Sequence, residues 1–133
     1  MIDLGTLLIV DDDKDIREFL ASLFTPHGLT VIEAKGANEA FELLKQGTRV
    51  DVIVSDIKMR DGGGFELLAK IKASGLLDHK PQVILITGFP TINLAMAKDL
   101  GALDLIAKPF ENKTLQRSVS KALVNAGRPG LPV

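Results

Sequence analysis

The sequence predicts an open, doubly wound α/β fold: a five-stranded parallel sheet with five helices. Three observations predict it. Short aliphatic or β-branched runs alternate along the chain with segments of helical period. The runs at 7–10 and 52–54 are apolar at every position, as strands covered on both faces require. And 133 residues hold five β-α units, too few for an eight-unit barrel.

The strands are expected at residues 6–10, 29–34, 50–55, 82–87 and 103–107. The first helix follows Asp13. Its apolar residues Ile16, Phe19, Leu20, Leu23 and Phe24 fall on a single helical face, and Thr25-Pro26-His27-Gly28 stops it. Ala40, Phe41 and Leu44 mark a second helix, ended near Gly47. Phe65, Leu68 and Ile71 start a third, ended by Gly75. A fourth is expected from about Pro90, which suits a first-turn position, to Gly101. Leu115, Val119, Ala122, Leu123 and Ala126 mark a fifth, ended by Gly127. One domain is expected over 5–126, and the Gly- and Pro-bearing stretch 127–133 reads as a flexible tail or the start of a linker.

Composition removes several function classes. The chain has no cysteine, which excludes disulfides and thiolate chemistry and fits a reducing compartment; the cytoplasm is the expected location. A net charge of −1 provides no field to draw nucleic acid or an anionic membrane. Six Phe with no Trp or Tyr provide no stacking platform for single strands. The apolar run 7–10 is cut at Asp11, too short for a signal-peptide core or a membrane span.

In such a sheet, chemistry gathers at the carboxyl ends of the strands. Here those ends carry Asp11-Asp12-Asp13, Ser55-Asp56, Thr87-Gly88 and Lys108-Pro109. Carboxylates meeting at about 4 Å repel by roughly 4 kcal/mol per pair at an effective dielectric near 20, so a cation must offset them. Oxygen donors favour Mg²⁺, and Lys108 adds a second positive charge. The same parts suit phosphoryl transfer to a carboxylate nucleophile. Asp13 reads as the cap of the helix that follows.

Four motifs carry a resemblance: Leu-Ile-Val-Asp-Asp at 8–12, Ser-Asp-Ile-Lys-Met at 55–59, Ile-Thr-Gly at 86–88 and Lys-Pro-Phe at 108–110. In this order and spacing they resemble the receiver domain of two-component response regulators, from about Thr6 to Leu123. The resemblance implies a flavodoxin-like sheet of order 2-1-3-4-5. It implies a phosphorelay role in which Asp56 accepts a phosphoryl group from a histidine kinase or histidine phosphotransfer protein. Asp11 and Asp12 match the acidic pair that holds Mg²⁺, or Mn²⁺ as an alternative, with Asp56 and the Lys58 backbone carbonyl completing the protein ligands. Thr87 matches the switching hydroxyl, and Lys108 the lysine that pairs with the phosphoryl group. The implied activity is self-phosphorylation and slow self-hydrolysis, not enzymatic turnover of an external substrate. The implied partners are the phosphodonor and a downstream effector or output domain met through the fourth-helix, fifth-strand and fifth-helix face, with room for a phosphorylation-dependent homodimer.

Three departures stand out. Leu105 occupies the usual aromatic position. Arg60 replaces a proline and precedes Gly62-Gly63-Gly64, so the loop beside Asp56 is expected to be mobile before Mg²⁺ binds. Lys58 and Phe89 flank the expected path of attacking water and predict slow hydrolysis. A haloacid-dehalogenase-type phosphatase is the rival reading, through the Asp-x-Asp spacing of Asp11 and Asp13. It lacks the usual Gly-Thr after that pair and leaves Asp56 without a role.

Overall fold

Each strand alternates its side chains between two apolar layers, and this alternation organises the molecule. The computed structural model describes residues 3–74, 81–88 and 91–131. In chain order the elements are β1 (Thr6–Val10), α1 (Lys14–Phe24), a 3₁₀ turn (Thr25–His27), β2 (Thr30–Ala34), α2 (Ala37–Lys45), β3 (Val52–Asp56), α3 (Gly64–Ala73), β4 (Gln82–Thr87), α4 (Leu94–Asp99), β5 (Asp104–Ala107) and α5 (Asn112–Asn125). The strands form one parallel sheet of order β2-β1-β3-β4-β5, as the resemblance implied. Leu7, Ile9, Val52, Val54, Ile84 and Ile86 pack with α1 and α5 on one face. Leu8, Val10, Ile53 and Leu85 pack with α2, α3 and Ala97 of α4 on the other. Both faces are therefore covered, which is why β1 and β3 are apolar throughout.

The helices differ from expectation in two places. On α1 the buried residues are Arg17, Leu20 and Phe24, while Phe19 is 49% exposed. The apolar stripe is wider than the buried face, and its outer edge is left in solvent. The fourth helix begins later than expected: Asn93 caps it by accepting the Met96 N–H at 3.0 Å, so helical hydrogen bonding starts at Leu94. Pro90, and the Gly75 expected to end the third helix, lie outside the described residues. Gly101, at φ +102°, ends α4 in the left-handed conformation.

Residues 127–131 lie back on the domain. The Arg128 N–H donates to the Leu123 carbonyl at 2.8 Å, and the Leu131 N–H to Ser120 Oγ at 2.9 Å. Arg128 Nε stands 3.4 Å from the carboxylate of Asp51, which is 0% exposed and accepts the Thr6 N–H at 2.9 Å. This pair ties the segment after α5 to the starts of β1 and β3, at the sheet edge opposite the candidate site.

Candidate functional site

The parallel register brings the strand ends together. Val10 lies beside Ser55, Asp56 beside Ile86, and Thr87 beside Ala107. The residues next in sequence, Asp11 and Lys108, therefore flank Asp56 from either side. Asp11, Asp56 and Lys108 share a cavity of about 200 Å³ walled by Phe19, Ile86 and Phe110. Lys108 Nζ is 3.4 Å from Asp56 Oδ2. The Lys108 N–H donates to the Thr87 carbonyl at 2.8 Å, which fixes where the lysine leaves the sheet, and the Lys108–Pro109 peptide is cis.

Asp11 is buried, at 3% exposure. Burial raises its pKa above the ordinary 3.8 most strongly, and the charges of Asp56 and Asp12 raise it further; the Asp13 N–H, at 2.9 Å from Oδ1, and the Lys108 ammonium act against them. Arg17 holds this corner in place. Its Nη1 donates to the Asp11 carbonyl at 2.8 Å while Nε pairs with Glu33 at 3.3 Å. Sequence reading missed Arg17. The available signal was its i, i+3, i+7 register with Leu20 and Phe24, which puts a charged residue on a buried face.

Asp13 caps α1, with Oδ1 accepting the Asp15 N–H at 2.9 Å and the Ile16 N–H at 3.4 Å. It is engaged as a cap and does not join Asp11 in an Asp-x-Asp pair. Asp12 turns toward the β3–α3 loop, where Oδ2 accepts the Arg60 N–H at 3.2 Å and lies 3.9 Å from Arg60 Nε. Thr87 is 1% exposed and ends β4 outside the lining of the Asp11–Asp56–Lys108 cavity. Lys58 is exposed and lines a separate depression with Met59 and Phe65. Phe89 lies outside the described residues.

The glycine run beside Asp56 allows close backbone approach. A Cβ on Gly64 would lie 2.8 Å from both the Asp56 carbonyl and Leu85 Cδ2, and one on Gly63 would strike the Ile57 carbonyl. The Gly64 N–H donates to that carbonyl at 2.9 Å, and the Ile57 N–H to the Ile86 carbonyl at 3.0 Å. The loop expected to be mobile is thus hydrogen-bonded at both ends.

Among the described residues, no three His, Cys, Asp or Glu side chains stand ready as a metal site. Asp56 faces Lys108 and Asp12 faces Arg60, so the cations already present divide the carboxylates. The donor chemistry nonetheless fits a hard divalent ion. Asp11, Asp12 and Asp56 would offer it hard carboxylate oxygens.

Comparison with known proteins agrees with this arrangement. The family model for the response regulator receiver domain matches residues 7–120. Transcriptional regulatory protein FixJ of Rhizobium meliloti (strain 1021) is 36% identical over 118 residues, covering 88% of this chain and 56% of that protein. Sporulation initiation phosphotransferase F of Bacillus subtilis (strain 168) is 30% identical over 118 residues, covering 88% of this chain and 92% of that protein. The crystal structure of FixJ-N superposes with a TM-score of 0.80 at 30% identity, covering 93% of this chain and 96% of that one. The chain thus spans about half of the first relative and nearly all of the second. A sheet of order β2-β1-β3-β4-β5, an acidic corner at Asp11 and Asp56 paired with Lys108, and a family match over most of the chain lead to one conclusion: the chain belongs to the response regulator receiver domain family, the phosphorelay switches of two-component signalling.

Proposed function

We propose that Asp56 is the phosphoacceptor, taking its phosphoryl group from phosphohistidine on a histidine kinase or histidine phosphotransfer protein. The convergence of Asp56, Asp11 and the Lys108 ammonium on one cavity carries this reading. An Asp56 carboxylate oxygen attacks phosphorus. The new P–O bond forms as the P–N bond breaks, and the imidazole leaves with that electron pair. Lys108 is placed to neutralise a transferred phosphoryl oxygen, and Thr87 supplies a hydroxyl to another. Asp11, Asp12, Asp56 and the Lys58 carbonyl would hold Mg²⁺, or Mn²⁺ as an alternative, which when bound supplies charge neutralisation at the phosphoryl oxygens. Water attack at phosphorus then breaks the P–O bond to Asp56, releasing inorganic phosphate and restoring the carboxylate. The domain thus handles only its own phosphoryl group and acts as a signalling switch in the cytoplasm.

The output face is assigned to α4, β5 and α5. Leu94, Met96 and Leu100 are 41%, 45% and 43% exposed there, which suits an exchangeable apolar contact with an effector, an output domain or a second copy. No helix among the described residues is long and apolar enough to cross a membrane.

Acetyl phosphate with Mg²⁺, read by intact mass, tests the assignment. The wild type is expected to gain a phosphoryl group that is absent after chelation and absent from Asp56→Asn. Labelling retained by Asp56→Asn overturns Asp56 as acceptor, and labelling lost on Asp11→Asn but kept on Asp56→Asn restores the phosphatase reading.

A further inference from the structure

The loop between β3 and α3 reaches across to α2. The N-cap position of α2 is Gly36, which has no side chain to cap the helix. Asp61 of the loop supplies the cap: Oδ1 accepts the Ala37 N–H at 3.0 Å and Oδ2 the Asn38 N–H at 3.3 Å. Gly36 is extended, at φ −176°, a conformation open to any residue, so its smallness serves space and not backbone freedom. A Cβ there would fall on the Asp61 carboxylate. The residue before Asp61 donates its N–H to Asp12, the Arg60 N to Asp12 Oδ2 distance being 3.2 Å. A continuous chain of contacts therefore runs from the α2 N-terminus through Asp61 and Arg60 to one of the proposed metal carboxylates.

We propose that Asp61 is a positioning residue for the metal side of the site. By capping α2 it fixes the loop that carries the Lys58 carbonyl and the Arg60 N–H, and so sets Asp12 and that carbonyl for a divalent ion. Gly36 is the space that admits it. The inference rests on the metal reading above and adds two residues to it. It also places α2 in the coupling: an ion that engages Asp12 tightens the Asp61 cap, and by reciprocity the cap tightens ion binding. A side chain that only capped α2 would affect helix stability and leave ion affinity alone.

The test is a double-mutant cycle on the full chain. Mg²⁺ binding is measured by calorimetry with MgCl₂ as the probe, and amide exchange of α2 and the loop is followed with and without MgCl₂. Asp61→Ala and Gly36→Ala are each expected to weaken Mg²⁺ binding by about five- to tenfold, the cost of re-ordering roughly one loop residue. The double variant is expected to be no weaker than either single one. Asp61→Asn, which keeps one acceptor oxygen, restores part of the loss. In the wild type, Mg²⁺ is expected to slow exchange at Ala37 and Asn38, and in both single variants this response disappears. A wild type that binds Mg²⁺ beside variants that bind it equally well, or losses that add in the double variant, overturns the inference alone. A wild type that binds no Mg²⁺ overturns the metal reading and this inference together.

Discussion

Replacing Lys108 with glutamine isolates the electrostatics of the site. At an effective dielectric of about 20, unit charges 3.4 Å apart attract by roughly 5 kcal/mol. Lys108 is 36% exposed and Asp56 17%, so solvent screening reduces the net value of this pair to about 1 kcal/mol. Lys108 also lowers the pKa of buried Asp11, and its loss leaves that carboxylate facing Asp56 and Asp12 with less compensation. The expected cost of Lys108→Gln in metal-free protein at neutral pH is about 1–2 kcal/mol in all.

The pH dependence gives the sign. Asp11 already has a folded-state pKa above its ordinary 3.8, so its charged form costs stability once pH exceeds that raised value. Removing Lys108 raises the pKa further and enlarges the cost. As pH falls through the raised value Asp11 becomes protonated in the folded chain and the penalty shrinks, vanishing below 3.8 where the unfolded chain is protonated too. Urea unfolding of wild type and variant at neutral and acidic pH measures the difference. Added Mg²⁺ is expected to offset the neutral-pH loss, and the variant is expected to bind the ion more tightly, since a competing cation is gone. Equal stability at neutral pH, or a loss of the same size in acid, would refute the reasoning, because packing of the lysine stem has no such pH dependence.

Two further substitutions separate Asp11 from Asp13 at the first strand end. Asp11→Asn is expected to stabilise metal-free protein at neutral pH, a gain that disappears as pH falls toward 3.8, and to remove most of the stabilisation that MgCl₂ confers on the wild type; thermal melts across pH with and without the salt check both. Asp13→Ala is expected to cost about 1 kcal/mol through loss of the α1 cap while leaving Mg²⁺ affinity unchanged, which urea unfolding and calorimetry read separately.

The strand ends were legible in the sequence because alternation of short apolar runs and helical stripes fixes where a parallel strand stops. Asp11, Asp56, Thr87 and Lys108 could each be placed on one edge before any contact was known. The contacts within that edge were less legible, since they join residues far apart in the chain. Asp61 caps a helix 24 residues before it, and only the absence of a side chain at Gly36 hints that a cap must come from elsewhere. The Gly62-Gly63-Gly64 run was ambiguous for the same reason. Glycine signals freedom in an open loop and proximity in a packed one, and both hold here: a Gly64 Cβ would clash with the Asp56 carbonyl, while Gly62 adopts φ +105°. Arg17 was missed and Phe19 misjudged from hydropathy alone: α1 buries Leu20 and Phe24 in the core, and the same face takes Arg17 inward to the Asp11 carbonyl while Phe19 stays half in solvent.

Leu105 bears on how a phosphoryl group at Asp56 is felt elsewhere. The phosphoryl group would bring about −1.5 to −2 charge into a corner where Lys108 is the nearest cation, so the first response falls on Lys108. That lysine is joined to β4 through its own N–H on the Thr87 carbonyl, at 2.8 Å. Within β5, Leu105 pairs with Leu85 and packs, half-buried, against the layer that contains Ala97 of α4 and Ile92. A pull on Lys108 thus acts on the strand whose next-but-two residue supports α4. The proposed output face can respond through the β5 backbone and aliphatic packing, and it does not require an aromatic ring to swing.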